Sequence, residues 1–376
     1  MDIKRTIQPL IESKLFKHKV IVIIGARQVG KSTLLRQITK QRTESVLFME
    51  CDDPVTRQTL TDINLSEIKT VIGNNEIVVI DEAQLVPNIG RSLKLIVDNM
   101  KNVQLIVSGS SAFELQNRLN EPLTGRKFEY SLYSISTEEL VNYGGLLNVK
   151  QNLEQRLIFG SYPDIIMNKD DAKDVLMNIT ESYLYKDVLT VDNLRKPVLI
   201  TKLLTALALQ LGSEVSYNEL AKTIGSDSKT VEKYIDLLEK CCVVFRLNAF
   251  SRNLRSELKK SKKIYFYDNG VRNAIIRNFA PLELRTDVGA LWENFFVTER
   301  IKYNHYHNHY VNCYFWRTTQ QQEIDFVEET DGKFNLFEMK WNPKKAKATL
   351  PKIFGQTYDV REFNIVTPLN YLEFVM

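Results

Sequence analysis

Gly25, Gly30, Lys31 and Ser32 stand in the spacing G-x-x-x-x-G-K-S, within the stretch GARQVGKST at residues 25–33. That pattern is suited to phosphate. Successive backbone N–H groups from Gly25, Ala26, Arg27, Gln28, Val29 and Gly30 can wrap an anion, and a helix opening at Lys31, Ser32 and Thr33 adds its positive end. Gly25 and Gly30 permit backbone shapes that a Cβ would hinder. Lys31 is expected to bridge the β- and γ-phosphates of a nucleotide, and Ser32 to ligate Mg2+. The apolar run VIVII before the loop and the helical spacing of KSTLLRQITKQ after it supply the required strand and helix.

A second element completes such a site. In IVVIDEAQ (77–84), four apolar residues lead to Asp81 and Glu82. Asp81 is expected at the C-terminal edge of a buried strand beside the loop, where it can hold the Mg2+ shell. Glu82 can orient or deprotonate the attacking water. QLIVSGSS ends in Ser108, Ser110 and Ser111 at the same sheet edge, where a hydroxyl can sense the γ-phosphate or cap a turn. Arg126, ahead of a fifth strand, competes with Arg118 to neutralise charge developing on the γ-phosphate, in cis or from a neighbouring subunit. Arg126 is favoured, and supply in trans would require a homo-oligomer.

A different constellation lies near the C-terminus. Glu293 falls on a helical pattern, Asp325 on the strand EIDFVEE, and Glu338 and Lys340 on the strand FNLFEMKW. Residues two apart on a strand share a face, so Glu338 and Lys340 point together toward Asp325. The carboxylates Glu293, Asp325 and Glu338 can hold Mg2+ or Mn2+, with Glu338 and Lys340 serving catalysis as the lysine activates water against a phosphodiester. Gln356 is a weaker neighbour. HYHNHY (305–310) sets three histidines at alternate positions, but no carboxylate or cysteine is spaced to complete a metal set.

Between these sites the charge is uneven. The whole chain carries a net +4, yet residues 195–275 alone hold 15 basic and 8 acidic side chains. VSYNELAKTIGSDSKTVEKYIDLLEK reads as helix, turn, helix, with Ser216 capping the first and Gly225 ending it. Val231, Tyr234, Ile235 and Leu238 make the apolar stripe of the second helix, leaving Lys229, Thr230 and Lys233 outward. Two strands joined by a basic loop follow, carrying Arg252, Arg255, Lys259 and Lys260, which together suggest a winged helix. DNA contact through 228–263 is expected, with a steep salt dependence, while docking of a protein partner is the competing use.

These residues need elements to position them. Strands alternate with helices through residue 135, which indicates a doubly wound α/β domain with a parallel sheet. The expected division is a P-loop ATPase domain at 1–155, a helical connector at 156–196, a winged-helix domain at 197–278 and an α/β domain at 279–376 that, by its order of acids and lysine, resembles a restriction-endonuclease-like domain. Hydrophobic residues at 44% and charged residues at 26% fit a soluble globular chain, and no apolar run is long enough for a membrane span. Four cysteines without C-x-x-C or framework spacing point to reduced thiols in a cytoplasmic protein.

The motifs GARQVGKST, DEAQ, GSS and L-x-GR in this order resemble those of AAA-type P-loop ATPases of bacteria and archaea. The resemblance implies an ATP-preferring domain of the additional-strand, catalytic-glutamate type, and the strand SVLFME ahead of IVVID fits it. GSYPDII, SRNLR, GALWENF and EIDFV…FEMKW extend the likeness to members whose C-terminal half is a domain of unknown function. The order Glu293, Asp325, Glu338-x-Lys340 resembles a restriction-endonuclease-like core. The leading expectation is an ATPase that couples nucleotide state to DNA binding and metal-dependent cleavage. Its rival is an ATP-driven switch whose nuclease-like fold is inactive.

Overall fold

The computed structural model describes residues 3–40, 42–110, 123–190, 197–251, 262–318 and 320–376, with the side chains of 182–190 and 197 excepted. Ser111, Arg118, Arg252, Arg255, Lys259 and Lys260 lie outside the described residues. Among the described residues, no helix is long and apolar enough to cross a membrane.

Five strands build the first sheet: β1 (Val20–Ile24), β2 (Val46–Glu50), β3 (Ile77–Asp81), β4 (Gln104–Gly109) and β5 (Lys127–Ser131). Their order is β2–β3–β4–β1–β5 and every pairing is parallel. β1, β3 and β4 are buried along their whole length, as apolar runs without alternation require when helices cover both faces. Helices α1 (Gln8–Glu12) and α2 (Lys31–Lys40) pack on one face against Ile21 and Ile23. On the other face α3 (Pro54–Leu60), α4 (Leu65–Ile72) and α5 (Ile89–Asn99) cover Val20, Val22 and Ile24.

This order corrects one expectation. β3 does not run beside the phosphate-loop strand, because β4 lies between them, and β2 is the outer edge strand. The inserted strand is therefore QLIVSG rather than SVLFME.

Beyond β5 come α6 (Thr137–Gln151), α7 (Leu153–Phe159), α8 (Pro163–Met167) and α9 (Ala172–Thr190). The basic segment then folds as α10 (Pro197–Leu209), β6 (Glu214–Val215), α11 (Tyr217–Ile224), α12 (Ser228–Lys240), β7 (Val244–Ala249) and β8 (Lys262–Phe266). The last part runs α13 (Asn269–Ile275), α14 (Val288–Tyr306), β9 (Asn312–Arg317), β10 (Glu323–Thr330), β11 (Lys333–Met339), α15 (Lys352–Thr357) and β12 (Asp359–Val366).

Sequence patterning divides these two parts, yet they share one sheet. β7 pairs in parallel with β9 through Asn248↔Tyr314 and Ala249↔Phe315. A seven-stranded sheet results, ordered β12–β11–β10–β9–β7–β8–β6. One hydrophobic core runs from Ile7 and Ile11 under the first sheet to Trp292, Phe296 and Val375 in the last part. A movement of the C-terminal half is thus felt by the same packed interior that supports the phosphate loop.

Candidate functional site

The loop between β1 and α2 is shaped by its glycines. A Cβ on Gly25 would sit 2.2 Å from the Leu132 carbonyl oxygen, so the close approach of β5 excludes any side chain there. Gly30 has φ +96°, a region that favours glycine. Gln28 also has a positive φ, at 61°, and bends the exposed tip. Ala26 and Val29 are buried, Arg27 is half-buried, and Ser32 and Thr33 are exposed at the start of α2.

Four predicted residues meet at this edge. Lys31 is 4% exposed, and its Nζ donates to the carbonyls of Gly25 (3.1 Å) and Ala26 (3.0 Å). The same Nζ lies 3.7 Å from Glu82 Oε1. Asp81 ends β3 and is 5% exposed, and its Oδ1 accepts from the Ser108 hydroxyl and from the Glu82 N–H at 3.1 Å. Ser108 is placed for this by β4, the strand between Asp81 and the loop.

Glu82 adopts a left-handed conformation, φ 52° and ψ 42°, which turns its carboxylate back toward Lys31. Gln84 Nε2 donates to Glu82 Oε2 and, at 2.9 Å, to the Ser110 hydroxyl. Burial works to raise the Glu82 carboxyl. Lys31 and the bonds from Gln84 and Ser110 outweigh it and hold the group below the ordinary carboxylate range. Glu82 is therefore ionised at neutral pH.

Arg126 is elsewhere. It immediately precedes β5, and its carbonyl accepts from Val20 N–H at the start of β1. Five strand residues separate that edge from the phosphate loop, roughly 15 Å at strand rise. Its guanidinium is exposed and pairs with Asp98 at 2.8 Å. The expected arginine contact to the γ-phosphate in cis is thus contradicted: a residue ahead of a parallel strand lies at the sheet edge opposite the loop.

The C-terminal constellation is brought together, but differently from expectation. Lys340 Nζ donates to Glu338 Oε1 at 2.8 Å, so the two do share a face of β11. Asp325 Oδ2 accepts the Met339 N–H at 2.9 Å. Glu293 on α14 instead faces a lysine from the basic segment. Lys263 Nζ lies 3.0 Å from Glu293 Oε1 and 2.7 Å from Glu323 Oε1, and the Tyr265 hydroxyl donates to Glu293 at 2.6 Å. Among the described residues, no three carboxylate, histidine or cysteine side chains converge as a metal-holding group. Glu293, Asp325 and Glu338 lie near enough for their charges to act together on Asp325, but Glu293 is taken up by Lys263 and Tyr265 and Glu338 by Lys340. Gln356 is exposed on α15.

Asp325 bears the consequence. Burial raises its carboxyl to about 8, and the nearby charges of Glu293 and Glu338 add to the effect. A carboxyl whose folded value lies above its ordinary one favours folding at low pH and costs stability as pH rises through 8. Asp325→Asn keeps an oxygen for the Met339 N–H and removes that cost. It is expected to raise the melting temperature at pH 8.5 by several degrees over wild type and to lose this advantage below pH 4, as thermal melts across that range would read.

In the basic segment the apolar stripe falls where patterning puts it, and of Ser226, Asp227 and Ser228, any of which could cap the second helix, Asp227 is the cap. Asp227 accepts from Thr230 N–H at the start of α12. Val231, Tyr234, Ile235 and Leu238 are buried together with Leu237. Lys229 and Lys233 are exposed, while Thr230 is half-buried and also bonded to Asp227 through its hydroxyl. Part of the positive excess is internal, however. Arg246 pairs with Asp236 and Glu239, Arg272 with Asp287, and Lys263 with Glu293 and Glu323. In the turn between α12 and β7, burial pushes the Cys242 thiol up to about 11, and the charge of Lys31 opposes it.

The histidines take structural parts. α14 continues through Tyr306, so no strand aligns them. His305 Nε2 accepts the Ser131 N–H at 2.9 Å at the end of the edge strand β5, and burial lowers its pKa. His307 pairs with Glu138.

Sequence reasoning missed a buried ionic network joining the two halves. Glu299 on α14 accepts the Thr137 N–H at 2.6 Å and lies 2.7 Å from Lys302 Nζ and 3.4 Å from Arg156. Arg5 pairs with Glu139 and also reaches the phosphate loop. These are single charges in ordinary surroundings, and only the Ser136–Glu139 capping box left a local trace.

Comparison with known proteins divides the chain in three. Residues 17–141 match an AAA domain, residues 150–282 a domain of unknown function (DUF8612), and residues 288–367 another (DUF4143). An uncharacterized protein of Mycobacterium tuberculosis is 29% identical over 335 residues, covering 87% of this chain and 71% of that one. An uncharacterized protein of Methanocaldococcus jannaschii is 24% identical over 324 residues, covering 78% and 72%. Among solved structures, a Walker-type ATPase of Pyrococcus abyssi is 15% identical with TM-score 0.49, covering 73% of this chain and 96% of that one. The phosphate loop, the Asp81–Glu82 pair and the match over 17–141 together liken the N-terminal part of the chain to a P-loop ATPase domain of the AAA type.

Proposed function

We propose that this chain binds ATP with Mg2+ at residues 25–33, hydrolyses it, and uses nucleotide state to control a DNA-binding C-terminal half whose nuclease-like fold does not cut. The convergence of Lys31, Asp81, Glu82 and Ser108 at one end of a parallel sheet carries this conclusion. Ser32 and Asp81 would hold Mg2+, which would supply positive charge to the β- and γ-phosphates. Glu82 directs the water oxygen to the γ-phosphorus while the bond to the β,γ-bridging oxygen breaks, and Lys31 faces the charge gathering there. The choice of ATP over GTP rests on the resemblance to ATP-using relatives.

The arrangement α10–β6–α11–α12–β7–β8 is read as a winged helix, with Lys229 and Lys233 on the exposed face of α12 toward DNA. The single hydrophobic core shared by the phosphate-loop helix α2 and by α11, α12 and β7 supports a link between nucleotide and this module. The arrangement α14–β9–β10–β11–α15–β12 is read as restriction-endonuclease-like. Lys263 on Glu293 favours the inactive form over a Mg2+- or Mn2+-dependent nuclease.

Incubation of supercoiled plasmid with the full chain, Mg2+ or Mn2+, and ATP tests both parts. Phosphate release by wild type, lost in Lys31→Ala, with no cleavage beyond that of Lys340→Ala, is the expected result. Cleavage by wild type alone would restore the nuclease.

A further inference from the structure

Arg5 lies just before α1 and is 5% exposed. Its guanidinium reaches four acceptors on four separate segments of the chain. Nε donates to Glu139 Oε1 at 2.9 Å, Nη1 to the Val29 carbonyl at 2.7 Å, and Nη2 to the Tyr133 carbonyl at 2.7 Å and the Tyr306 hydroxyl at 3.2 Å. The partners are themselves fixed. Glu139 also accepts the N–H groups of Thr6 (3.0 Å) and Ser136 (2.8 Å), and the Tyr306 hydroxyl accepts the Tyr133 N–H at 3.0 Å. The planar fork of an arginine suits such a divergent set, and the compact ammonium of a lysine does not.

The Val29 carbonyl is the important acceptor. In a trans peptide the C=O of one residue and the N–H of the next point in opposite directions. A Val29 carbonyl held on Arg5 therefore turns the Gly30 N–H away from Arg5, toward the inside of the loop, where phosphate oxygens need donors. Gly30 has no side chain to fix this peptide, and glycine takes its φ of +96° about as readily as negative values, so a bond to the Val29 carbonyl selects among them. Tyr306 ends α14, so the same guanidinium joins the loop to the C-terminal half.

We propose that Arg5 is a positioning residue for the phosphate loop, and that through Tyr306 the seating of α14 sets the loop's affinity for nucleotide. The proposal rests on the nucleotide site described above. It gives the C-terminal half a direct route to the loop that avoids the sheet, and linkage makes the route work in both directions.

The test is calorimetric titration of the full chain with Mg2+ and ADP, for wild type, Arg5→Lys, Tyr306→Phe and the double variant. Arg5→Lys keeps a charge beside Glu139 but loses the fork. Its Kd for ADP is expected to rise about tenfold, the effect of one charge-assisted hydrogen bond. Tyr306→Phe is expected to raise Kd about threefold even if Arg5→Lys fails to fold, and the double variant should be no weaker than Arg5→Lys alone. A merely structural role would lower the melting temperature and leave Kd in place. Wild-type binding with both single variants within twofold of it would overturn the proposal. A wild type that binds no ADP would overturn the nucleotide site and the proposal with it.

Discussion

Glu82→Gln is expected to bind ATP as tightly as wild type and to hydrolyse it at least 100-fold more slowly. The amide keeps the shape of the side chain and can still bond to Gln84 and Ser110, so the left-handed turn at residue 82 is preserved. It cannot accept a proton from water. It also removes the negative charge that Lys31 holds below the ordinary carboxylate range. Loss of a positioned base costs about 100- to 10,000-fold in rate while leaving ground-state contacts to phosphate intact. Equilibrium titration and single-turnover phosphate release separate the two quantities. A variant that binds normally and turns over at the wild-type rate would remove Glu82 from the reaction.

The second large effect concerns stability. Glu299→Gln is expected to destabilise the folded chain by about 3–5 kcal/mol, because it leaves Lys302 and Arg156 buried without their counter-charge. The glutamine oxygen can still accept the Thr137 N–H, so the loss isolates the charge. Burial alone would raise the Glu299 carboxyl. Lys302 and Arg156 reverse this and bring it from its ordinary 4.5 down to about 2. A depressed carboxylate stabilises the fold above its unfolded value and loses that contribution as pH falls toward the folded one. Wild type should therefore lose about 3 kcal/mol between pH 5 and pH 2 from this group, and Glu299→Gln should lack that portion of the acid dependence. Urea unfolding followed by tryptophan fluorescence, at pH 7 and at pH 3.5, reads both. A change below 1 kcal/mol at pH 7 would mean that the interface of α6, α7 and α14 is held by packing alone.

The two effects separate what was legible in the sequence from what was not. The phosphate loop was legible because binding phosphate through the backbone demands glycines at fixed spacing, and such a demand is local. Buried parallel strands were legible for the same reason: VIVII and IVVID must be apolar on both faces. The α12 stripe follows from helical periodicity, whereas its cap stayed open among Ser226, Asp227 and Ser228 because all three can accept a backbone N–H.

What stayed hidden depends on residues far apart in the chain. β7 meets β9 over two residue pairs separated by 66 positions, too short a pairing to leave a pattern in either segment. Lys263 reads as one of seven basic residues in a loop and strand, and only the sheet reveals that it neutralises Glu293. Arg5 and Tyr306 are 301 positions apart. Arg126 is a different case, because strand direction was available. A residue just ahead of a strand parallel to β1 must lie at the edge away from the loop, and its pairing with Asp98 follows from that.

Phosphate release from ATP and Mg2+ by the purified full chain, measured beside Lys31→Ala, tests the central claim most directly. Steady turnover by wild type that falls at least 100-fold in the variant is the predicted result, since the loop would lose the charge facing the γ-phosphate. Equal rates in the two proteins would place hydrolysis outside this site and contradict the account.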